Sequence, residues 1–429
     1  MPRLLLLLPA TTYRAEAFLE AARKLKLEVT VGSKRADRLA NQHAVDFLPL
    51  NFNDLEATTH AAVEFARATP IDVVVGVDDH TTVVATAISA ALGLPHNPVP
   101  AVAAARNKHR MRELLSEQGV PVPRFALFSV DDDPEVLVAP SPTPLSIAFP
   151  CVVKPISLSA SCGVIRANNR DEFVAAFHRV ATLLEKLGRE TVGEGAGKIL
   201  VEDFVPGREV ALEGLLTDGE LQVLALFDKP DPLDGPFFEE TIYVTPSRLP
   251  EAVQREIASC AARAARALGL REGPVHGEVR VSDRSVWVIE IAARSIGGRC
   301  SRTLRFAAGM SLEEVILRHA LRMDMPSLAR EWRAAGVMMV PIPRAGMLEE
   351  VRGREEALAV PGIEDLEITA QPGDELVPLP EGTRYLGFLI ARGKTPEAVE
   401  IALRDAHRQL EFIITPAPVQ SQRPRAMSF

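Results

Sequence analysis

The sequence predicts a multidomain chain, α/β at its start and α+β beyond, and three observations carry that prediction. Over residues 1–95, fully apolar strand runs alternate with helix-like segments. Beyond about residue 147, short strands follow one another with few helices between them. The chain has 429 residues, enough for about two to four domains that each bury a core. Apolar strands alternating with helices indicate an open parallel sheet covered on both faces.

The elements follow in order. LLLLLP (4–9) reads as a buried strand, with a helix at 13–26, strands at LEVTVGS (27–33) and DFLPL (46–50), and a helix at 54–68. IDVVVGVDD (71–79) is a further buried strand, followed by a small-residue helix to about Leu92. Residues 98–118 read as one helix, ended by Gly119 and Pro121, and the Pro/Asp/Ser-rich stretch 131–146 as a loop. The strands PCVVKP, GVIRA, KILVEDFV, EVALEGLL and LQVLALFDK come next, then a helix at 251–268 and a hairpin at 276–295. GVMMVPIP, EDLEITA and RYLGFLIARG, with a helix near 395–410, form a third strand-rich unit.

Composition narrows the function classes. With 24% charged and 47% hydrophobic residues the chain is ordinary globular protein. A net charge of −9 and a pI near 5.6 argue against non-specific nucleic-acid binding, which needs a clustered basic surface. No run approaches the roughly 18–20 apolar residues of a membrane span, and the five leucines of MPRLLLLLPA fit a first strand better than a signal peptide. Cys151, Cys162, Cys260 and Cys300 contain no CxxC pair and read as reduced thiols. The expectation is a soluble cytoplasmic protein with neither nucleic acid nor membrane as partner.

The hairpin HGEVRVSDRSVWVIEIAARS carries the first chemical signal. Each strand holds a glutamate, Glu278 and Glu290, where a half-buried strand would hold an apolar residue. Pairing Glu278 with Glu290 puts Gly277 opposite Ile291, Val279 opposite Ile289 and Val281 opposite Trp287, one uniformly apolar face. A one-residue slip would scatter that face. Opposed like charges destabilise a sheet unless something neutralises them, and a hard divalent cation with oxygen ligands would do so. A solvated outer face is the competing reading.

Two further segments add to it. FPCVVKPISLSASCGVIRA (149–167) is a strand ending at Lys154, a small-residue loop and a second strand. Small residues let backbone approach anionic oxygens, and lysine supplies a point charge for phosphate. A plain hairpin with a flexible tip is the alternative. In ILVEDFVPGREVALEGLL (199–216), Glu202, Glu209 and Glu213 sit in apolar surroundings, where carboxylates can accept hydrogen bonds from a base or a ribose; surface glutamates are the alternative. GEGAGK (193–198) lacks P-loop spacing, and no GxSxG elbow occurs.

RNKHRMRELL (106–115), VVKPISLSASCGV (152–164), EDFVPGREVALEG (202–214), LFDKPDPLDGPFFEE (226–240), HGEVR (276–280) and VIEIAARSIGG (288–298), in this order, resemble the ATP-grasp superfamily. Within it the chain looks most like the carboxylate–amine ligases that join L-amino acids into dipeptides. The resemblance implies a Rossmann-like domain at 1–97, an ATP-grasp fold at 98–330 with a lid subdomain at about 122–206, and a strand-rich C-terminal cap at 331–429.

The resemblance also implies roles. ATP would be bound by Lys108, Lys154, Ser159, Ser161, Gly163, Glu202, Val205 and Glu209. Glu278 and Glu290 match the Mg²⁺ ligands, a place Mn²⁺ can also take. Arg294 and Lys154 match the catalytic cations at the transferred phosphate. Glu213, His276, Arg294 and Gly298 fall where substrate binds. Where many members read Glu-x-Asn-x-Arg, this chain has Ala292, which cannot ligate and leaves the ligand set of a second metal open. The implied reaction is amide formation through an acyl-phosphate, releasing ADP and phosphate, with small-molecule carboxylate and amine substrates and a homodimer as the expected assembly. Bicarbonate-using carboxylation or carbamoyl-type chemistry, and a non-catalytic nucleotide-binding protein, are the rival readings.

Overall fold

The computed structural model describes residues 1–9, 12–34, 45–138, 147–282 and 285–417. At the start of the chain, four parallel strands lie in the order Asp46–Pro49, Glu28–Ser33, Arg3–Leu7, Val73–Gly76. The run of leucines is explained by two buried faces. Leu4 and Leu6 pack with Ala15 and Phe18, whereas Leu5 and Leu7 pack with Leu48, Ala62 and Ile88 on the opposite side.

A second, antiparallel sheet orders Phe125–Ser129, Lys198–Asp203, Cys151–Pro155 and Ile165–Ala167. The helical segment Arg170–Val192, kinked at Gly188, covers it with Phe173, Phe177, Val180 and Leu184, a stripe at helical spacing. The third sheet has eight strands: Val286–Ala292, Gly273–Val281, Arg208–Thr217, Glu220–Asp228, Ile242–Thr245, Ala334–Val340, Gly387–Gly393 and Ile363–Ile368. The C-terminal strands therefore extend the central sheet rather than form a sheet wholly their own. A three-stranded sheet of Glu375–Leu376, Gly346–Arg352 and Glu411–Thr415 lies beyond it. No described helix is long and apolar enough to cross a membrane.

Two local expectations are corrected. The helix expected over 98–118 is two helices, Val99–Arg106 and Lys108–Glu117. Asn107 takes extended backbone between them and its side chain accepts from Arg110 N at 3.0 Å, an N-cap that restarts the helix. The loop expected at 131–146 contains a helical turn, Pro134–Leu137, and its residues 139–146 lie outside the described residues, as do Asp283 and Arg284 of the hairpin turn.

Candidate active site

The hairpin pairs Glu278 with Glu290, His276 with Ala292 and Gly277 with Ile291, as the alternation predicts. Beyond the glutamates the register shifts by one: Val279 faces Val288, and Val281 faces Val286 instead of Trp287. A β-bulge at Ile289 causes the shift. Val286, Val288 and Ile291 all enter the core, so the period of two is broken between 288 and 291, and Ile289 and Glu290 both reach the cavity. The buried guanidinium of Arg112 holds the bulge, donating from Nη2 to Ile289 O at 2.7 Å.

Alternation builds the rest of that wall. Glu209, Ala211 and Glu213 oppose Arg280, Glu278 and His276 across the central strands, so all six share one face. Val210, Leu212 and Leu216, on the other face, are core. A cavity of about 360 Å³ opens over this face, between it, the four-stranded antiparallel sheet that falls where the lid is expected, the N-terminal parallel sheet and the C-terminal strands. Its wall includes Lys108, Lys154, Ser159, Ser161, Glu202, Val205, Glu209, His276, Glu278, Glu290, Arg294 and Gly298, which the sequence places far apart.

At the lid side, Lys154 lies on a strand buried along its whole length. Its Nζ is 2.6 Å from Glu202 Oε2. Arg112 Nε stands 2.7 Å from Glu202 Oε1, a contact of charges whose angles fall outside a hydrogen bond, and Arg112 Nη2 donates to Oε2 at 3.3 Å. Burial, with Arg112 and Lys108 adding to it against Glu202, brings the Lys154 ammonium down to about 8. Lys108 begins its helix with its backbone N–H on Ile156 O at 2.8 Å. Its Nζ donates to Leu158 O at 2.6 Å and lies 3.3 Å from Glu290 Oε2.

In the middle, Lys229 Nζ is 2.7 Å from Glu209 Oε1 and 2.7 Å from Glu278 Oε1, and Arg280 Nε donates to Glu209 Oε2 at 3.0 Å. Arg280 also donates to the carbonyls of Val205 and Leu233. His276 Nδ1 meets Leu212 O at 3.2 Å, which leaves Nε2 3.6 Å from Glu278 Oε1. Burial and the neighbouring Glu278 push the Glu240 carboxyl up; at Glu278 burial is outweighed by Lys229 and His276, and its carboxyl is held well below the usual range.

At the far end, Arg294 Nε donates to Asp79 Oδ1 at 2.7 Å. Asp79 opens the helix Asp79–Ala91, whose N-cap is Asp78. Burial would raise Asp79, but Arg294, Arg14 and Arg106 more than offset it and hold the acid at about 2. Burial likewise disfavours charge on Arg294, yet Asp79 and Glu290 hold it above the ordinary arginine range. Arg14 donates to Val77 O at 2.7 Å, Ser295 O at 3.0 Å and Ile296 O at 2.8 Å, and Tyr13 Oη accepts from Gly298 N at 2.8 Å. Gly298 has φ +58, and a Cβ there would sit 2.5 Å from Met339 Sδ. Met339, Tyr385 and Phe388 complete this end with an apolar surface.

Two expected residues are off the cavity wall. Gly163 donates its N–H to Pro380 O at 2.7 Å, and a Cβ on it would meet Pro155 at 2.8 Å, so its want of a side chain serves packing. Glu213 is fully buried behind the wall, where Oε2 accepts from Ile296 N at 2.8 Å and Oε1 has no hydrogen-bond partner among the described residues. Burial pushes its carboxyl well above the usual range. It shapes the 295–298 segment from beneath. Arg14, Asp79, Arg112, Lys229 and Arg280 were not singled out by sequence; Arg280 carried a signal, a charge at an inward position of an alternating strand, whereas Lys229 stands just past the end of the strand Glu220–Asp228.

An ATP-grasp domain model matches residues 147–303, an ATP-grasp N-terminal domain model 19–96, and an L-amino acid ligase C-terminal domain 2 model 338–415. The chain belongs to the ATP-grasp family. The crystal structure of an L-amino acid ligase from Bacillus licheniformis superposes with a TM-score of 0.83 at 27% identity, covering 97% of this chain and 99% of that one. Alanine–anticapsin ligase of Bacillus subtilis is 27% identical over 239 residues, 53% of this chain and 49% of the ligase, so the match spans about half of that relative. A carboxyaminoimidazole ribonucleotide synthase from Aspergillus clavatus, complexed with ATP, has a TM-score of 0.70 at 18% identity over 95% of this chain and 99% of that one, a likeness of fold. In this ATP-grasp chain the three matched segments bring one wall each to the cavity: Asp79 from the first, Lys154, Glu278 and Glu290 from the second, Met339 and Phe388 from the third.

Proposed function

We propose that this protein is an ATP-dependent carboxylate–amine ligase that forms an amide, most simply a dipeptide, and releases ADP and phosphate. The observation that carries the reading is the pairing of Glu278 with Glu290 in one cavity that also receives Lys108, Lys154 and Arg294.

The charge on the wall supports it. Asp78, Asp79, Glu202, Asp203, Glu209, Glu240, Glu278 and Glu290 face the cavity with Arg14, Lys108, Lys154, Arg280 and Arg294, eight acids against five lysines and arginines. A triphosphate enters such a site only with cations, and an ammonium-bearing substrate is at home there. Glu278 and Glu290, oxygen donors on adjacent strands, suit Mg²⁺, which when bound offsets phosphate charge; Ala292 has no donor to add.

The chain's own groups supply the rest. Lys154 and Lys108 place positive charge where phosphates pass between lid and core. The substrate carboxylate attacks the γ-phosphorus and displaces ADP; Arg294, held by Asp79, offsets charge on the transferring group. The amine then attacks the acyl carbon of the acyl-phosphate, phosphate leaves with the C–O electron pair, and the amine loses its proton. The acyl-phosphate survives only if water is kept out; Phe238 of the 230–240 loop and Ser159 of the 157–163 loop both border the cavity and are placed for that. Screening carboxylate and amine pairs for phosphate release from ATP, with product masses, tests the reading. An amide whose mass is the sum of the pair less water is expected. Nucleotide binding with no release from any pair, or release with bicarbonate alone, overturns it.

A further inference from the structure

Lys229 has no role in the reaction just described, yet it is among the most completely enclosed charges in the molecule. Its side chain is 3% exposed. Its Nζ lies 2.7 Å from Glu209 Oε1, 2.5 Å from Glu240 Oε1 and 2.7 Å from Glu278 Oε1, so all three donors of the ammonium are used. The ring of Tyr243 lies 4.9 Å from Nζ. Lys229 is not on the cavity wall, whereas all three carboxylates are. It therefore acts on them from behind.

The spacing of the cage would admit a metal ion. One oxygen from each of Glu209, Glu240 and Glu278 lies within 4.8 Å of the others, the spacing that oxygen ligands take around a hard cation at about 2.0–2.6 Å. We propose that Lys229 is a positioning residue whose ammonium stands in this three-carboxylate cage in place of a metal ion. It fixes Glu278 through Oε1, on the side where His276 Nε2 also stands at 3.6 Å, while Glu278 itself lines the cavity that would receive the cation accompanying the nucleotide. It also clasps the base of the 230–239 loop, because Lys229 and Glu240 bracket that loop and Phe238 within it borders the cavity. Divalent binding is thereby confined to the Glu278–Glu290 side and made to depend on the nucleotide. This last consequence rests on the ligase reading; the cage itself does not.

The test is Mn²⁺ binding, followed by electron paramagnetic resonance, to wild type and to Lys229→Met with and without a non-hydrolysable ATP analogue. Without nucleotide, Lys229→Met is expected to bind one Mn²⁺ about tenfold or more tighter than wild type, and its melting temperature should rise with Mn²⁺ where that of wild type does not. If Lys229→Met does not fold alone, the double variant Lys229→Met/Glu240→Gln, which strands one charge fewer, carries the same test with the same expected direction. Equal nucleotide-free affinity in wild type and variant overturns the proposal. A gain in the variant supports it even if wild type binds no ATP analogue, in which case the ligase reading is what fails.

Discussion

The two ends of the cavity are built differently. At the lid and core end, Lys154, Glu202, Arg112, Lys229, Glu209 and Glu278 form ion pairs that are almost wholly buried, each charge held by another charge. At the opposite end, Arg14 and Tyr13 reach across 281 and 285 residues of sequence to hold main-chain atoms of Ser295, Ile296 and Gly298, beside the apolar surface of Met339, Tyr385 and Phe388. The first arrangement fixes charge at set points, which suits a ligand as invariant as a triphosphate. The second shapes a surface through backbone and aromatic rings, which suits the variable part of a substrate. Buried pairs are costly to break on one side because the partner is left uncompensated, whereas main-chain anchors fail by degrees.

The largest effect is expected at the paired acids. Glu290→Gln should lower ATP turnover by about 10²-fold or more while leaving the fold intact, since Glu290 is partly exposed and its ion pair to Lys108 is 3.3 Å long; phosphate release beside a melting curve reads both. Next, Arg112→Met removes a guanidinium with no exposure that serves both Glu202 and the bulge carbonyl. It should cost about 3–5 kcal/mol of stability, measured by denaturant unfolding, and a loss under 1 kcal/mol would remove the bulge-holding role.

Much of the first end was legible and the second was not. The hairpin register followed from alternation, because a slip would have thrown apolar residues out of the core. The bulge at Ile289 did not, because Ile and Val serve equally on either face and only the buried Arg112 selects which carbonyl is turned to it. Lys154 and Glu202 sit on strands whose apolar neighbours marked them as inward. Glu213 bore the same mark and yet faces Ile296 N beneath the wall: alternation gives a residue's face, not its depth. Arg14 follows the first strand with nothing to distinguish it from a surface arginine, and its partners are set by how the first domain docks.

Smaller effects separate the two ends. Because Lys154 is brought down to about 8, it carries its charge below that pH and loses it above. ATP-analogue affinity should therefore fall as pH rises through 8, by up to about tenfold per unit, and Lys154→Arg should flatten the profile. A flat profile in wild type would deny Lys154 contact with the phosphates. Tyr13→Phe removes only the hydrogen bond from Gly298 N, worth about 1 kcal/mol; it should raise the KM for an amino-acid substrate several-fold and leave ATP-analogue affinity unchanged. Least of all, Arg179→Ala breaks a half-exposed pair with Glu381 between lid and C-terminal segment and should shift stability by under about 1 kcal/mol.

The central claim is that a carboxylate is activated by phosphoryl transfer in the cavity where Glu278 faces Glu290. It is tested most directly by supplying the carboxylate substrate labelled with ¹⁸O and examining the released phosphate by mass spectrometry. One ¹⁸O in the phosphate for each amide formed is the predicted result. Phosphate without label, or label carried into AMP, would contradict the account.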